Sequence, residues 1–174
     1  MGDDSRNVRR TGIGMMVLFW VLLLLLAGWW FRDLEQRRSR PNAGLETAVV
    51  AEQEPVTLQR NVYGHFVAPG EIDGHAVTFL IDTGATYVSL SRSLAGSLGL
   101  QPGPEVTFTT ANGRVSGNLA TLDSVRLGGL LARHVPGSIH AGIDDDVVLL
   151  GMSFLERFDI QIRGDRMIVG PPDS

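Results

Sequence analysis

The start of the chain differs from the rest in its pattern of apolar and polar residues. Residues 11–31 contain no charged side chain, and an arginine-rich segment follows them. About 20 consecutive apolar residues are enough to cross a bilayer as an α-helix, and no face of this segment is polar. The pattern predicts a short tail over residues 1–11, a transmembrane helix over 12–31 and a linker over 32–54.

The flanks of this apolar segment favour an uncleaved anchor. Trp29 and Trp30 stand at its end, where aromatic belts form at the membrane surface. Ala27-Gly28-Trp29-Trp30 is a poor signal-peptidase site, so a cleaved signal peptide is less favoured. Arginines lie on both sides, and the positive-inside rule therefore does not decide the orientation. A short tail before a single helix favours an N-terminus in the cytoplasm.

From residue 56 onward, short apolar runs alternate with turn signals, which is typical of a β domain. Asp73-Gly74 and Asn112-Gly113 each predict a tight hairpin, because both central positions of such a turn need positive φ. Ser91 and Gly99 bound a short helix, and a second helix is predicted over residues 153–158. Strands are predicted at 56–58, 65–72, 75–81, 88–90, 106–110, 115–121, 122–127, 147–151, 159–163 and 166–169. The fold class is mainly β, a barrel-like domain over residues 55–171.

Composition removes several functional classes. The net charge is -4 and the C-terminal two-thirds carry no basic patch, so nothing indicates nucleic-acid binding. The chain has no cysteine, which excludes disulfides and thiolate metal sites. The run at residues 144–146 lacks the glycine-spaced pattern of a cation-binding loop, and the four histidines are dispersed. We expect neither a metal nor a cofactor.

The segment that carries chemistry is Phe-Leu-Ile-Asp-Thr-Gly-Ala-Thr at residues 79–86. Peptide hydrolysis by an aspartic mechanism needs two carboxylates so close that they share one proton. Asp82 follows an apolar strand that would hold it rigidly. Gly84 lets the backbone turn tightly toward the carboxylate, and Thr83 offers a hydroxyl that would lock the loop. Taken alone, Asp-Thr-Gly is also typical of a surface turn.

Three segments together make the chain resemble the retropepsin-like aspartic proteases. The first is the apolar-apolar-Asp-Thr-Gly-Ala motif at residues 80–85, and the second is the predicted hairpin at 109–114, where that family carries its flap. The third is Leu-Leu-Gly at residues 149–151, followed by a short helix. The likeness is greatest to the membrane-anchored bacterial branch, through segments 82–86 and 150–155. It covers about residues 56–170.

The resemblance implies a retropepsin-like closed β-barrel and a homodimeric aspartic endopeptidase without cofactor or metal. Asp82 of each chain would form the catalytic dyad, supported by Thr83 and Gly84. The implied substrate-binding residues are Ala85, Thr86, Ala111, Asn112 and Gly113. The implied partners are a second copy, a peptide or protein substrate and the membrane, with the domain in the periplasm of a bacterium. Viral members carry aspartate at the position of Thr86, so a salt link from there is missing.

Two other classes of function remain open at this point. A non-catalytic module with the same fold would bind peptides or dimerise near a membrane. A structural domain anchored at a surface would need no cleft at all. The retained Asp82 favours the enzyme, because a binding module has no need of a desolvated carboxylate there.

Overall fold

The computed structural model describes residues 4–46, 54–110, 113–143 and 145–172. The chain divides into two compact units, Met1–Ser39 and Arg40–Ser174. In the first unit, the described residues form one long helix. In the second they form a mainly β domain with short helices. The mainly β fold class predicted from the sequence is therefore confirmed.

The N-terminal helix, α1 (Asp4–Ser39), is longer at both ends than the predicted span of residues 12–31. Gly14–Ser39 is long and apolar enough to cross a membrane, although a signal sequence near an N-terminus would pass the same test. At its polar end, Arg37 Nε lies 3.0 Å from Asp33 Oδ2, one helical turn away. The helix ends at Ser39. The next residue, Arg40, precedes Pro41, and helical backbone angles are unfavourable for a residue before proline.

The β domain begins with a short 3₁₀ helix and contains two short α-helices. The 3₁₀ helix is Ala43–Glu46, α2 is Arg92–Ser97 and α3 is Met152–Leu155. The strands are β1 Val56–Gln59, β2 Val67–Ile72, β3 His75–Ile81, β4 Val88–Ser91, β5 Glu105–Thr110, β6 Gly113–Leu127, β7 Leu130–His140, β8 Val148–Leu150, β9 Asp159–Arg163 and β10 Arg166–Gly170.

Most of the strands form a closed barrel. Seven strands are ordered β2-β3-β8-β4-β7-β6-β5, and a further pairing of β2 with β6 closes six of them into a ring. The closing register places Ile72 opposite Val125 and Glu71 opposite Arg126. The strands β1, β10 and β9 form a separate antiparallel sheet. The closed barrel implied by the resemblance is thus present, and β5 extends from its wall as one arm of a hairpin.

The predicted Asp73-Gly74 turn and the first helix are confirmed. Asp73 and Gly74 join β2 to β3, and their φ values are 51° and 79°. Ser91 caps α2, because its hydroxyl accepts a hydrogen bond from Leu94 N–H at 3.0 Å. After this helix, Gly99 has the positive φ of 71° that a glycine adopts without steric cost.

Two strands differ from the predicted pattern. Residues 115–121 and 122–127 were expected to be separate strands but form the single strand β6. It pairs along most of its length with β7, which the pattern did not predict. Pro136 and Gly137 interrupt the β-type alternation of β7, and His134 has a φ of 51°. The sheet accommodates these residues because β4, β6 and the core hold the strand on both sides.

The segment expected to be a linker contains a structural residue. Asn42 is buried, and its Nδ2 donates to Gln59 O at 2.9 Å and to Val67 O at 2.8 Å. Its Oδ1 accepts from Gln59 N–H at 2.7 Å. Asn42 therefore joins the end of β1 to the start of β2, and Leu45 packs against the core beside it.

Candidate active site

Asp82 lies directly after β3, and a buried strand pair determines its position. β3 runs parallel to β8 with Ile81 opposite Leu150. The backbone N–H of Asp82 donates to Leu150 O at 3.1 Å. Phe79 and Ile81 are buried in the core, whereas Asp82 itself is half-buried. The carboxylate is thus attached to rigid backbone and still reaches the surface of the single chain.

The backbone after Asp82 folds back on its own side chain. Gly84 N–H donates to Asp82 Oδ1 at 2.8 Å, and Ala85 N–H donates to Asp82 O at 3.2 Å. A Cβ atom at residue 84 would lie only 3.2 Å from Oδ1, so a larger residue would crowd this oxygen. Thr83 is exposed, and in the described part of this chain its hydroxyl has no hydrogen-bond partner. The lock expected from Thr83 is not made within one chain.

Gly151 supports this loop from below. A Cβ atom there would overlap the carbonyl oxygen of Tyr87 and lie 2.7 Å from that of Ala85, so only glycine fits without a shift of the backbone. Directly after it, Met152 N–H donates to Ala85 O at 2.8 Å and Ser153 N–H donates to Thr86 O at 2.8 Å. The Leu-Leu-Gly segment therefore packs under the Asp82 loop.

The hydroxyl of Ser153 continues this support into the barrel. It accepts from Val88 N–H at 3.1 Å and donates to Pro136 O at 2.7 Å. Val88 begins β4 just beyond the loop, and Pro136 lies in β7. The exit of the Asp82 loop and strand β7 are consequently both tied to the same small helix, α3.

The hairpin predicted at flap spacing is present. β5 and β6 pair antiparallel from Glu105 opposite Asn118 to Thr110 opposite Gly113. Gly113 has a φ of 112°, a conformation that favours glycine. Val115 is exposed near the end of this arm. Three residues of this hairpin, Ala111, Asn112 and Gly113, are expected to bind substrate. Ala111 and Asn112 lie outside the described residues, and Gly113 begins β6.

A buried polar cluster that the sequence reasoning missed lies between the hairpin and the Asp82 loop. Its members are Ser89 on β4 and Ser138 and His140 on β7, all of them buried. Burial lowers the pKa of His140 below its ordinary value. The sequence contained no signal for this cluster, because strand β7 and its parallel pairing with β4 were not predicted.

A groove beside β6 is separate from the Asp82 loop. It has a volume of about 920 Å³ and does not include Asp82. Its lining includes Tyr87, Leu100, Pro104, Leu119 and Asp123. Among the described residues, no three His, Asp or Glu side chains lie together in an arrangement that would hold a metal ion.

Comparison with known proteins identifies the family. The family model described as "gag-polyprotein putative aspartyl protease" matches residues 68–157. An uncharacterised protein of Sinorhizobium sp., encoded in the cobV 5′ region, is 32% identical, and the match covers 94% of this chain and 76% of that protein. An uncharacterised protein of Rickettsia prowazekii (strain Madrid E) is 28% identical over 89% of this chain and 69% of its own.

A solved structure agrees with this match. The crystal structure of a retropepsin-like aspartic protease from Rickettsia conorii is 32% identical in sequence, with a TM-score of 0.58. The match covers 69% of this chain and 92% of that one. The closed barrel, the Asp-Thr-Gly loop on Gly151 and the hairpin are thus those of an aspartic protease domain. The chain belongs to the retropepsin-like aspartic protease family.

Proposed function

We propose that this protein is an aspartic endopeptidase that acts as a homodimer and is anchored in a membrane. The observation that carries the proposal is the geometry of Asp82. Gly84 N–H orients one carboxylate oxygen, while the other has no partner in the described part of the chain. A carboxylate that is rigidly held, half-buried and free at one oxygen is suited to bind and activate a water molecule.

A second carboxylate must come from another chain. The sequence contains one Asp-Thr-Gly segment, whereas the mechanism needs two aspartates in contact. A two-fold axis beside the loops would bring Asp82 of a second copy next to the first. The exposed Thr83, whose hydroxyl has no partner within the described residues of one chain, is placed to contact the facing loop. In this proposal, Thr83 and Gly84 hold the paired loops.

The chemistry follows from the shared proton of the pair. Two carboxylates so close cannot both ionise, so one stays protonated. The ionised Asp82 takes a proton from a water molecule, whose oxygen attacks the peptide carbonyl carbon. The protonated Asp82 donates its proton to the carbonyl oxygen. When the C–N bond breaks, the nitrogen leaves with the proton that the dyad holds, and a hydroxyl of the tetrahedral intermediate returns its proton to the dyad as the carbonyl re-forms. The products are a carboxylic acid and an amine, and the dyad again holds one proton.

The substrate in this proposal is an extended peptide. A peptide strand would lie between the catalytic loops and the β5–β6 hairpin, which covers it and excludes water. Ala85 and Thr86 border the carboxylate on the loop side, and Thr86 is exposed. On the hairpin side, Ala111, Asn112 and Gly113 would contact the peptide backbone.

The place of action in this proposal is the periplasmic side of a bacterial inner membrane. Helix α1 is long and apolar enough to act as the anchor. Its C-terminal flank Ala27-Gly28-Trp29-Trp30 is unsuited to cleavage, which favours an anchor over a signal sequence. Confinement to a surface would raise the effective concentration of partner chains.

The proposal is tested by replacing the proton-carrying group while keeping its shape. Asp82→Asn, made in the full-length chain in detergent micelles, is expected to lower turnover of a peptide library by at least about 10³-fold. Asp123→Asn, which changes an exposed aspartate on β6, is the matched control and should retain activity. Near wild-type cleavage by Asp82→Asn would refute the aspartic mechanism. Peptide binding without turnover by the wild type would identify a non-catalytic binding module instead.

A further inference from the structure

A chain of hydrogen bonds connects the hairpin region to the catalytic loop. His140 Nε2 lies 2.8 Å from Ser138 Oγ, which lies 2.8 Å from Ser89 Oγ. Ser89 Oγ in turn donates to Tyr87 O at 3.2 Å. Tyr87 is the residue that leaves the Asp82 loop, and its carbonyl is the one that rests on Gly151. The chain therefore ends on backbone that positions the catalytic carboxylate.

The direction of each hydrogen bond follows from counting protons. The Ser89 hydroxyl proton is used toward Tyr87 O, so Ser89 Oγ accepts the proton of Ser138. Ser138 Oγ must then accept from His140, and the protonated nitrogen of the neutral ring is Nε2. The other nitrogen, Nδ1, is buried and has no hydrogen-bond partner. The neutral ring with a bare Nδ1 is the form that satisfies every donor in the chain.

The same histidine ring contacts the flap hairpin. Its centroid lies 4.5 Å from that of Phe108 on β5 in an edge-to-face arrangement, and Phe108 packs edge-to-face on Tyr87 at 5.9 Å. On β6, Gly117 lies opposite His140. A Cβ atom at residue 117 would overlap Nδ1 and lie 3.0 Å from Cε1, so the missing side chain creates the space for the ring.

We propose that neutral His140 is a positioning residue that holds the base of the flap hairpin against the backbone leaving the catalytic loop, and that its protonation releases this contact. The contacts of His140 with Ser138 and Phe108 support its positioning role. The effect of His140 protonation on peptide turnover rests on the proposed function. His140 contacts no reacting atom in this account and acts through Phe108 and Tyr87.

Protonation is unfavourable in the packed arrangement because the second proton would be placed on Nδ1. His140 is only 9% exposed, and its ring contacts in the described residues, Ser138, Phe108 and Gly117, carry no charge. Phe108 offers only a weak cation–π attraction, which does not replace the lost hydration. Burial accordingly lowers the pKa of His140.

Among the described residues, no hydrogen bond or ion pair joins the ring to a charged side chain. On β5 and β6, Glu105 and Arg114 are exposed, and strand alternation puts them on the face opposite to Phe108 and its partner Val115. After β7, Asp145 and Asp146 are exposed in the following loop. On the loop exit, the nearby side chain is that of Tyr87, which packs on Phe108. On β4, Ser89 is uncharged.

The sign of the pH effect follows from the lowered pKa. Above about pH 6.5 the ring is neutral whether packed or released, and the contact has its full stability. As the pH falls below that value, only the released ring takes up a proton, so release becomes more favourable. The population of the released hairpin should rise by up to about tenfold per pH unit until the lowered pKa is passed.

Two substitutions of His140 separate its hydrogen bond from its titration. In His140→Gln the side-chain amide can still donate to Ser138 but does not titrate. In His140→Leu neither the donor nor the titration remains. The measurement is amide hydrogen exchange of residues 105–110 and 113–118 in the full-length chain in detergent micelles, corrected for intrinsic exchange, from about pH 7.5 to about pH 5. Peptide turnover is followed over the same range.

We expect wild-type protection in these strands to fall by up to about tenfold per pH unit below about pH 6.5. His140→Gln should keep the protection that wild type has at pH 7.5 and lose the pH step. His140→Leu should be poorly protected at every pH. If His140→Leu does not fold, the comparison of wild type with His140→Gln still decides the result. In turnover, an acid limb present in wild type and absent in His140→Gln would support the same assignment.

Two results would overturn the inference. One is an unchanged pH step in His140→Gln, which would assign the titration to another group. The other is wild-type protection that does not change with pH. These outcomes are distinct from failure of the proposed function. If no variant cleaves peptides but exchange behaves as expected, the positioning role stands and the peptidase assignment fails.

Discussion

At the residue scale, Gly151 shows why the Asp82 loop tolerates no ordinary side chain beneath it. The carbonyl oxygens of Ala85 and Tyr87 occupy the space where a Cβ atom would be. These oxygens belong to backbone that is hydrogen-bonded to α3, so they cannot move aside as a flexible side chain could. The shape of the Asp82 loop therefore depends on one glycine that is distant in sequence.

We expect Gly151→Ala to lower the free energy of unfolding by at least about 2 kcal/mol through this overlap. Gly96→Ala is the matched control, because a Cβ atom there meets nothing within 4 Å and alanine favours the helix. Pulse proteolysis in urea suits the measurement, since all three tryptophans lie in α1 and do not report on the β domain. An Asp82→Asn background avoids self-cleavage. Equal stability of the two variants would show that the loop is not held by Gly151.

The sequence predicts the local parts of the site and not the distant ones. Asp82, Thr83 and Gly84 are adjacent, so a strand followed by a tight turn is readable from their order. Among the described residues, the partner of the Asp82 carboxylate is Gly84 N–H, only two residues away. His140 is different, because its contacts with Phe108 and Gly117 exist only after β5, β6 and β7 have paired.

At the scale of elements, hairpins were predictable and longer connections were not. The Asp73-Gly74 turn joins neighbouring strands, and its φ values are those that the residue types favour. The parallel pairings of β3 with β8 and of β4 with β7 join strands far apart in sequence, and no turn marks them. In β7, tertiary packing overrides the local preference of Pro136 and Gly137 against a strand.

Asn42 provides a test at the scale of elements, because it links β1 to β2 before either strand begins. Asn42→Ala would leave the N–H and C=O of Gln59 and the C=O of Val67 without their partner. We expect a loss of about 2–4 kcal/mol in the free energy of unfolding. Asn118→Ala is the control. Within the described residues, the Asn118 side chain has one hydrogen bond, to Gly103 O, and its loss should lower the free energy of unfolding by less than about 1 kcal/mol.

Pulse proteolysis in urea measures the free energy of unfolding of both variants. If Asn42→Ala and Asn118→Ala have the same free energy of unfolding, residues 40–46 act only as a linker and do not stabilise the β domain. This role of Asn42 could not be predicted from the sequence, because an asparagine after a proline is equally typical of an exposed turn.

At the scale of the whole molecule, the pairing of β2 with β6 closes the barrel. Ile72 and Val125 are both fully buried at this junction, and the ion pair between Glu71 and Arg126 spans 3.6 Å on its exposed side. A surface pair of this kind contributes little, so burial of the apolar pair accounts for the closure. The resemblance implied a closed barrel, whereas alternation alone could not specify which strands meet.

One chain is not enough for the proposed chemistry, because that chemistry needs two aspartates in contact. Each barrel presents one Asp82 loop at its surface, with an exposed Thr83 and a carboxylate oxygen that has no partner in the described residues of that chain. The proposed function therefore depends on two identical loops meeting.

The most direct test is a mixing experiment with full-length chains co-solubilised in detergent micelles and allowed to exchange partners. Wild-type chains are combined with Asp82→Asn chains at constant total protein, and peptide turnover is measured against the wild-type fraction. If both carboxylates of a dimer are needed, activity follows the square of that fraction, and an equal mixture retains about one quarter of the activity. Activity that falls linearly, to about one half in the equal mixture, would contradict a site shared by two chains.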